Sequence, residues 1–187
     1  MSTRGQQLVV AASQVIYERG AAATTLAMVA AEASVPLGNV YYYFKTKDDL
    51  VAAVVASRVE ELRGFLARAG EEPTPADRLC AVLGAFASRA ETIVERGCPY
   101  GTLASELGRN EAAGEASPHG GALFAVQLEW MEAQLRAMRV RPAKARAAEL
   151  LCGIQGACLV AHALHDAALF RRRLTELARE LRAWAVA

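Results

Sequence analysis

Apolar residues recur along nearly the whole chain at intervals of three and four, with glycine or proline between the runs. That is the spacing of amphipathic helices rather than of strands. The first run, Leu8, Ala12, Val15 and Ile16, predicts a helix from about Arg4 to Arg19, stopped by Gly20. Thr24 or Thr25 then caps a short second helix to about Ala33. Ser34 and Val35 make a tight turn into a third short helix, about Pro36 to Tyr43. A longer fourth runs from about Thr46 to Arg68, where Gly70 and Pro73 end it.

A second set follows. Thr74 and Pro75, a cap and a first-turn proline, open a fifth helix to about Arg96, broken by Gly97-Cys98-Pro99. A short sixth spans about Leu103 to Ala113, and Ser117-Pro118 opens a seventh that ends near Arg139. Pro142 opens an eighth to about Leu164, and a ninth covers about Ala167 to Ala185. The expectation is an all-α chain of nine helices, without repeats.

Composition agrees: 53% of the 187 residues are hydrophobic and only six are proline, which suits a packed globular chain. The longest apolar stretches look too short to span a bilayer, and the N-terminus has no signal-peptide pattern, so a cytoplasmic protein without membrane contact is expected. Cys80, Cys98, Cys152 and Cys158 have no metal-site spacing, and structural disulfides are not expected. Net charge is +1, and residues 1–63 balance Arg4, Arg19, Lys45, Lys47, Arg58 and Arg63 against Glu18, Glu32, Asp48, Asp49, Glu60 and Glu61. No basic arm is present to grip a polyanion by bulk charge.

Residues 26–45 read LAMVAAEASVPLGNVYYYFK. A helix-turn-helix needs a small residue where its helices cross, supplied by Ala30, and a turn residue tolerant of unusual dihedrals four places on, supplied by Ser34. It also needs apolar anchors around them, and Val29, Ala33, Val35, Val40 and Tyr43 have the spacing. The same spacing also builds an ordinary helical hairpin inside a core. Tyr41-Tyr42-Tyr43-Phe44 cannot all face inward at 100° per residue, so Phe44 and one tyrosine are expected inside and the others outside. An exposed phenol offers a hydroxyl to phosphate and a ring to a sugar or a thymine methyl. Lys47, at the start of the fourth helix, adds its charge to that helix's dipole.

The stretch from Thr24 to Val54, TTLAMVAAEASVPLGNVYYYFKTKDDLVAAV, resembles the DNA-binding signature of the TetR/AcrR family of transcriptional regulators. The resemblance implies a three-helix helix-turn-helix domain over residues 1–47 and a helical ligand-binding and dimerisation body over 48–187, joined by the fourth helix at about 46–68. It implies a ligand-responsive repressor that binds double-stranded operator DNA. Carried over to this chain, Thr25 caps the second helix and donates to a phosphate. Leu37, Gly38 and Asn39 read base edges, and Tyr41, Tyr42 and Lys47 meet the backbone or base methyls. Two positions depart from the family: Leu37 and Ala27 stand where polar or basic residues are common. Asn39 then becomes the candidate for a bidentate adenine contact, worth about 1–3 kcal/mol of discrimination. Arg4 is a candidate for a further contact from the arm.

In the body, Gly153, Gly156, Ala157 and Ala161 form a small-residue stripe expected at a homodimer contact, with Leu151, Ile154 and Leu164 beside it. A tightly packed helix pair within one chain uses the same pattern. Phe65, Phe86, Leu103, Phe124, Trp130, Met131 and Met138 are plain core or, together, the lining of a cavity for a small apolar ligand. Arg89, Gln127, His162 and His165 are the candidate polar contacts. Cys98, beside a predicted helix start, is either a buried small side chain or a reactive thiol that senses electrophiles or oxidants, as in some similar repressors; the other cysteines read as core. No phosphate loop, nucleophile elbow or HExxH is present, so no enzyme, cofactor or metal is expected. The competing reading is a helical ligand-binding or scaffold protein without DNA contact.

Overall fold

Caps and glycines divide an all-helical chain where local chemistry says they should. In the computed structural model, which describes residues 3–110 and 118–184, the helices are α1 (Thr3–Arg19), α2 (Leu26–Glu32), α3 (Leu37–Tyr43), α4 (Lys47–Ala69), α5 (Pro75–Ser88), α6 (Ala90–Arg96), α7 (Pro99–Asn110), α8 (Pro118–Ala137), α9 (Ala143–Leu164) and α10 (Ala167–Trp184). The nine-helix, all-α expectation holds, with its fifth member broken into α5 and α6. The break is Arg89, which leaves helical dihedrals at φ −100° and ψ 15°. Ser88 Oγ, donating back to Ala85 O at 2.9 Å, competes with the backbone ladder there. α7 begins at Pro99, four residues before the expected Leu103. Ala113, Ser117 and Ala185, expected at helix ends, lie outside the described residues.

The chain divides into two compact units. One lies within Met1–Glu61 and Thr102–Leu123, the other within Leu62–Gly101 and Phe124–Ala187. The helices α4, α7 and α8 therefore each contribute to both.

In the first unit α1 buries Leu8, Ala12, Val15 and Ile16, the residues its periodicity selects. Thr25 Oγ1 accepts the N–H of Met28 at 3.2 Å and opens α2, while Thr24 turns inward and donates to Gly20 O. Val29, Ala30 and Val40 are buried where α2 and α3 meet. The start of α4 is a reciprocal box, with Asp49 N–H donating to Thr46 Oγ1 and Thr46 N–H to Asp49 Oδ2, both at 3.0 Å.

In the second unit Thr74 caps α5 by accepting from Asp77 N–H, with Pro75 in the first turn. Phe170, Leu174, Leu177 and Leu181 of α10 lie at helical spacing against Leu79, Val82, Ile93, Leu150 and Ile154. α9 corrects one expectation, because it is long and apolar enough to cross a membrane by length and composition. Here it is a core helix, burying Leu150, Ile154, Ala157 and Ala161, with Lys144, Arg146 and Glu149 in its first two turns.

Candidate nucleic-acid interface

Ser34 sets the helix-turn-helix. Its φ is +53°, in the left-handed region that turns the chain sharply between α2 and α3. The Val35 N–H then closes back on Ala30 O at 2.9 Å. This is the unusual dihedral expected at that position, and Ala30 is the small buried residue expected at the crossing.

α3 is anchored by Val40, which is fully buried, and by Phe44 just beyond its end. Its opposite face carries Leu37, Gly38, Tyr41 and Tyr42, all exposed, with Asn39 half-buried beside them. Tyr42 is 75% exposed and meets the half-buried Tyr43 edge-on, with ring centroids 5.0 Å apart. Phe44 and one tyrosine are thus turned in and two tyrosines out, as 100° per residue requires. A methyl on Gly38 would meet nothing within 4 Å.

Lys47 is placed differently from the simplest reading. Its Nζ donates to Ala22 O at 2.7 Å, tying the start of α4 to the loop ahead of α2. The α4 N-terminus is already occupied by the Asp49 carboxylate, with Asp48 beside it, so its dipole has no vacancy for a phosphate. Lys47 can offer its own charge alone. Lys45 is likewise engaged, donating to Tyr41 O at 2.9 Å. Glu106 of α7 accepts the Ala21 N–H in the same loop, an anchor that sequence reasoning missed because it joins residues 85 apart.

In the second unit, Met131 and Cys98 are core, and Phe65, Phe86, Phe124, Trp130 and Met138 pack part-buried against it. Leu103 is buried in the first unit. His162 Nδ1–H donates to Val94 O at 2.8 Å, which ties α9 to α6 and fixes the ring's tautomer. Gln127 is buried, whereas Arg89 and His165 are exposed. No group of three metal-ligating side chains occurs among the described residues. Cys152, expected in the core, is exposed.

The small-residue stripe of α9 is divided between surface and core. Ala161 is fully buried, and a Cβ on Gly153 would lie 3.0 Å from Leu177 Cδ2. Gly153, Ala157 and Ala161 repeat at i+4: Ala161 is closed into the core, whereas Gly153 and Ala157 line an open groove, with Gly153 close against Leu177 of α10. Leu151 and Ile154, expected beside the contact, are buried with them. The outward face is Cys152, Gly156, Val160 and Leu164 at the same spacing, with Leu159 alongside. Leu159 and Leu164 are 68% and 63% exposed. An open groove of about 420 Å³ runs along this face between Cys152, Gly156, Val160, Leu169, Arg172 and Glu176.

Residues 8–54 match the family model described as bacterial regulatory proteins, tetR family. The HTH-type transcriptional regulator TtgR of Pseudomonas putida is 41% identical over 73 residues, which are 39% of this chain and 34% of that protein. The chain thus aligns with about a third of that relative's length. The crystal structure of a TetR transcriptional regulator from Legionella pneumophila superposes with a TM-score of 0.82 at 15% identity, over 96% of this chain and 98% of that one. FadR from Bacillus subtilis, solved in complex with stearoyl-CoA, gives 0.70 at 18% identity, over 92% and 97%. At these identities the structural likeness speaks for the fold. Residues 8–54 are thus similar to the helix-turn-helix of bacterial tetR-family regulatory proteins, and the chain as a whole has the fold of solved TetR-family regulators.

Proposed function

We propose that the chain is a homodimeric repressor that binds operator DNA through α3 and is released by a small apolar or electrophilic ligand. The observation that carries the DNA reading is the outward face of α3. Leu37, Tyr41 and Tyr42 are large, exposed and unshielded, on a seven-residue helix held from behind by Val40. A bare aromatic face on so short a helix suits a surface that docks against a duplex. Thr25 and Lys47 flank it for phosphate, and Asn39 stands at its start for an adenine edge.

A helix this short reads few base pairs, and doubling by a two-fold axis is the usual remedy. The exposed Leu159, Val160 and Leu164 with the groove beside them are the face that a second copy would cover, and Gly156 and Ala157 border it. The part-buried Phe65, Phe86, Phe124 and Trp130 support an apolar ligand in the body, with Met131, Cys98, Leu103 and His162 as further candidates. In this reading residues 1–47 read DNA, residues 48–187 sense and dimerise, and the protein works in the cytoplasm. Ligand favours a state in which α4 carries the recognition helices out of register, which requires that it bind that state better.

A mobility-shift titration with the DNA upstream of the chain's own gene tests this reading. Wild type is expected to shift it, with binding that weakens as salt rises. Asn39→Ala and Tyr42→Ala are expected to weaken it at least tenfold without loss of helix content. Equal binding by wild type and both variants would remove α3 as the reading helix. A thermal-shift screen of apolar compounds tests the ligand.

A further inference from the structure

Among the described residues seven large apolar side chains are exposed, and three of them fall within six residues on α3. These are Leu37, Tyr41 and Tyr42, at 39%, 48% and 75% exposure. Residues three and four apart are neighbours on a helix surface, so Tyr41 and Tyr42 both flank Gly38, while Leu37 adjoins it along the chain. Apart from its two chain neighbours, no side chain lies within 4 Å of where a Cβ on Gly38 would stand. The bare backbone of Gly38 is thus the floor of a notch on the side of α3, bordered by apolar groups and roomy enough for one methyl.

Charge is missing from the same face. α3 reads LGNVYYY, without a cation or a carboxylate. The two lysines that follow it are drawn to backbone carbonyls, Lys45 to Tyr41 O and Lys47 to Ala22 O. The commonest specific base contact, an arginine or lysine forked onto guanine, is therefore not available from this helix.

We infer that the notch at Gly38 takes the C5-methyl of thymine, and that Leu37 makes α3 prefer thymine to cytosine. The inference rests on the proposed DNA reading and adds to it the chemical group that is recognised. In the major groove thymine alone presents an apolar group; cytosine presents an amino donor instead. Docking the methyl strips water from Leu37 and the two rings without burying an unpaired polar group. Cytosine in the same place leaves the notch unfilled and turns an amino hydrogen toward leucine, where it finds no acceptor. With Asn39 proposed for an adenine edge, α3 then selects A·T pairs by two different chemistries, one polar and one apolar.

Selection from a random duplex library with the full-length protein gives the preferred site, whose thymines are then replaced one at a time by deoxyuridine. Deoxyuridine keeps every hydrogen-bonding group of thymine and removes only the methyl. At the position read by the notch, each replacement is expected to weaken binding about fourfold, the worth of one buried methyl. Leu37→Ala changes an exposed side chain, so it should keep its helix content, and it should cut that ratio at least in half. The ratio should be the same at low and high salt, because burying a methyl releases no counterion. Full affinity at every deoxyuridine position would overturn the notch and leave DNA binding intact. A ratio that Leu37→Ala leaves unchanged would also overturn it, since the methyl would then be read elsewhere. Failure of the selection to enrich any site would instead overturn the DNA reading beneath it.

Discussion

Lys47 Nζ donates to Ala22 O at 2.7 Å, so the cation expected to hold a phosphate also pins the loop before α2 to the first turn of α4. Lys47→Ala should then do two separable things. Loss of a charge-assisted hydrogen bond at the surface should cost about 0.5–1 kcal/mol in urea unfolding. If Lys47 also meets a phosphate, the slope of log affinity against log salt should fall by about one. A stability loss with an unchanged salt slope would assign Lys47 to the fold alone.

Ser34 holds a left-handed φ that glycine adopts freely and a β-branched residue does not. Ser34→Gly should leave the urea midpoint nearly unchanged or raise it slightly. Ser34→Val should lower stability by about 1–3 kcal/mol. Equal midpoints for the two variants would mean the turn does not depend on that dihedral.

Leu159 and Leu164 stand exposed on one stretch of α9. If a second copy covers them, Leu159→Glu with Leu164→Glu should convert a dimer to a monomer in light scattering while helix content persists. Operator affinity should fall with it, because the two half-sites are no longer linked. A dimer that survives both charges would place the interface elsewhere.

Cys98 is an acid whose pKa is lowered to about 6, so its reactive anion predominates above that pH and is lost below it. Alkylation of Cys98 by iodoacetamide, followed by mass spectrometry, should reach half its plateau rate near pH 6 and change little above pH 7. A thiol of ordinary pKa would keep accelerating to about pH 8.5. A midpoint in that upper range would show that the donors around Cys98 do not hold its thiolate.

What was legible in the sequence was local. Thr25 and Thr74 cap because a hydroxyl reaches a backbone N–H three residues away, and Ser34 turns because its neighbours fix two helices at an angle. The outward tyrosines follow from counting degrees around α3. The misreadings have physical causes too. Nothing in the alphabet around Arg89 forbids a helix, since the break comes from packing and a serine bonding backwards. α9 is small and apolar on nearly every side, so its periodicity could not say whether Gly153 and Ala161 faced outward or toward α10. Long-range pairs were invisible: Lys47 with Ala22 and Glu106 with Ala21 each depend on closure of the fold.

Gly38 sits on the outer face of α3 with open space where a Cβ would go. In a helix, glycine to alanine favours folding by about 0.5–1 kcal/mol, so Gly38→Ala should make the free protein slightly sturdier. Any affinity it loses must come from whatever approaches from outside. The position is a built-in feeler gauge. Alanine, then serine, then valine at 38 would measure in methyl-sized steps how near the bound partner comes.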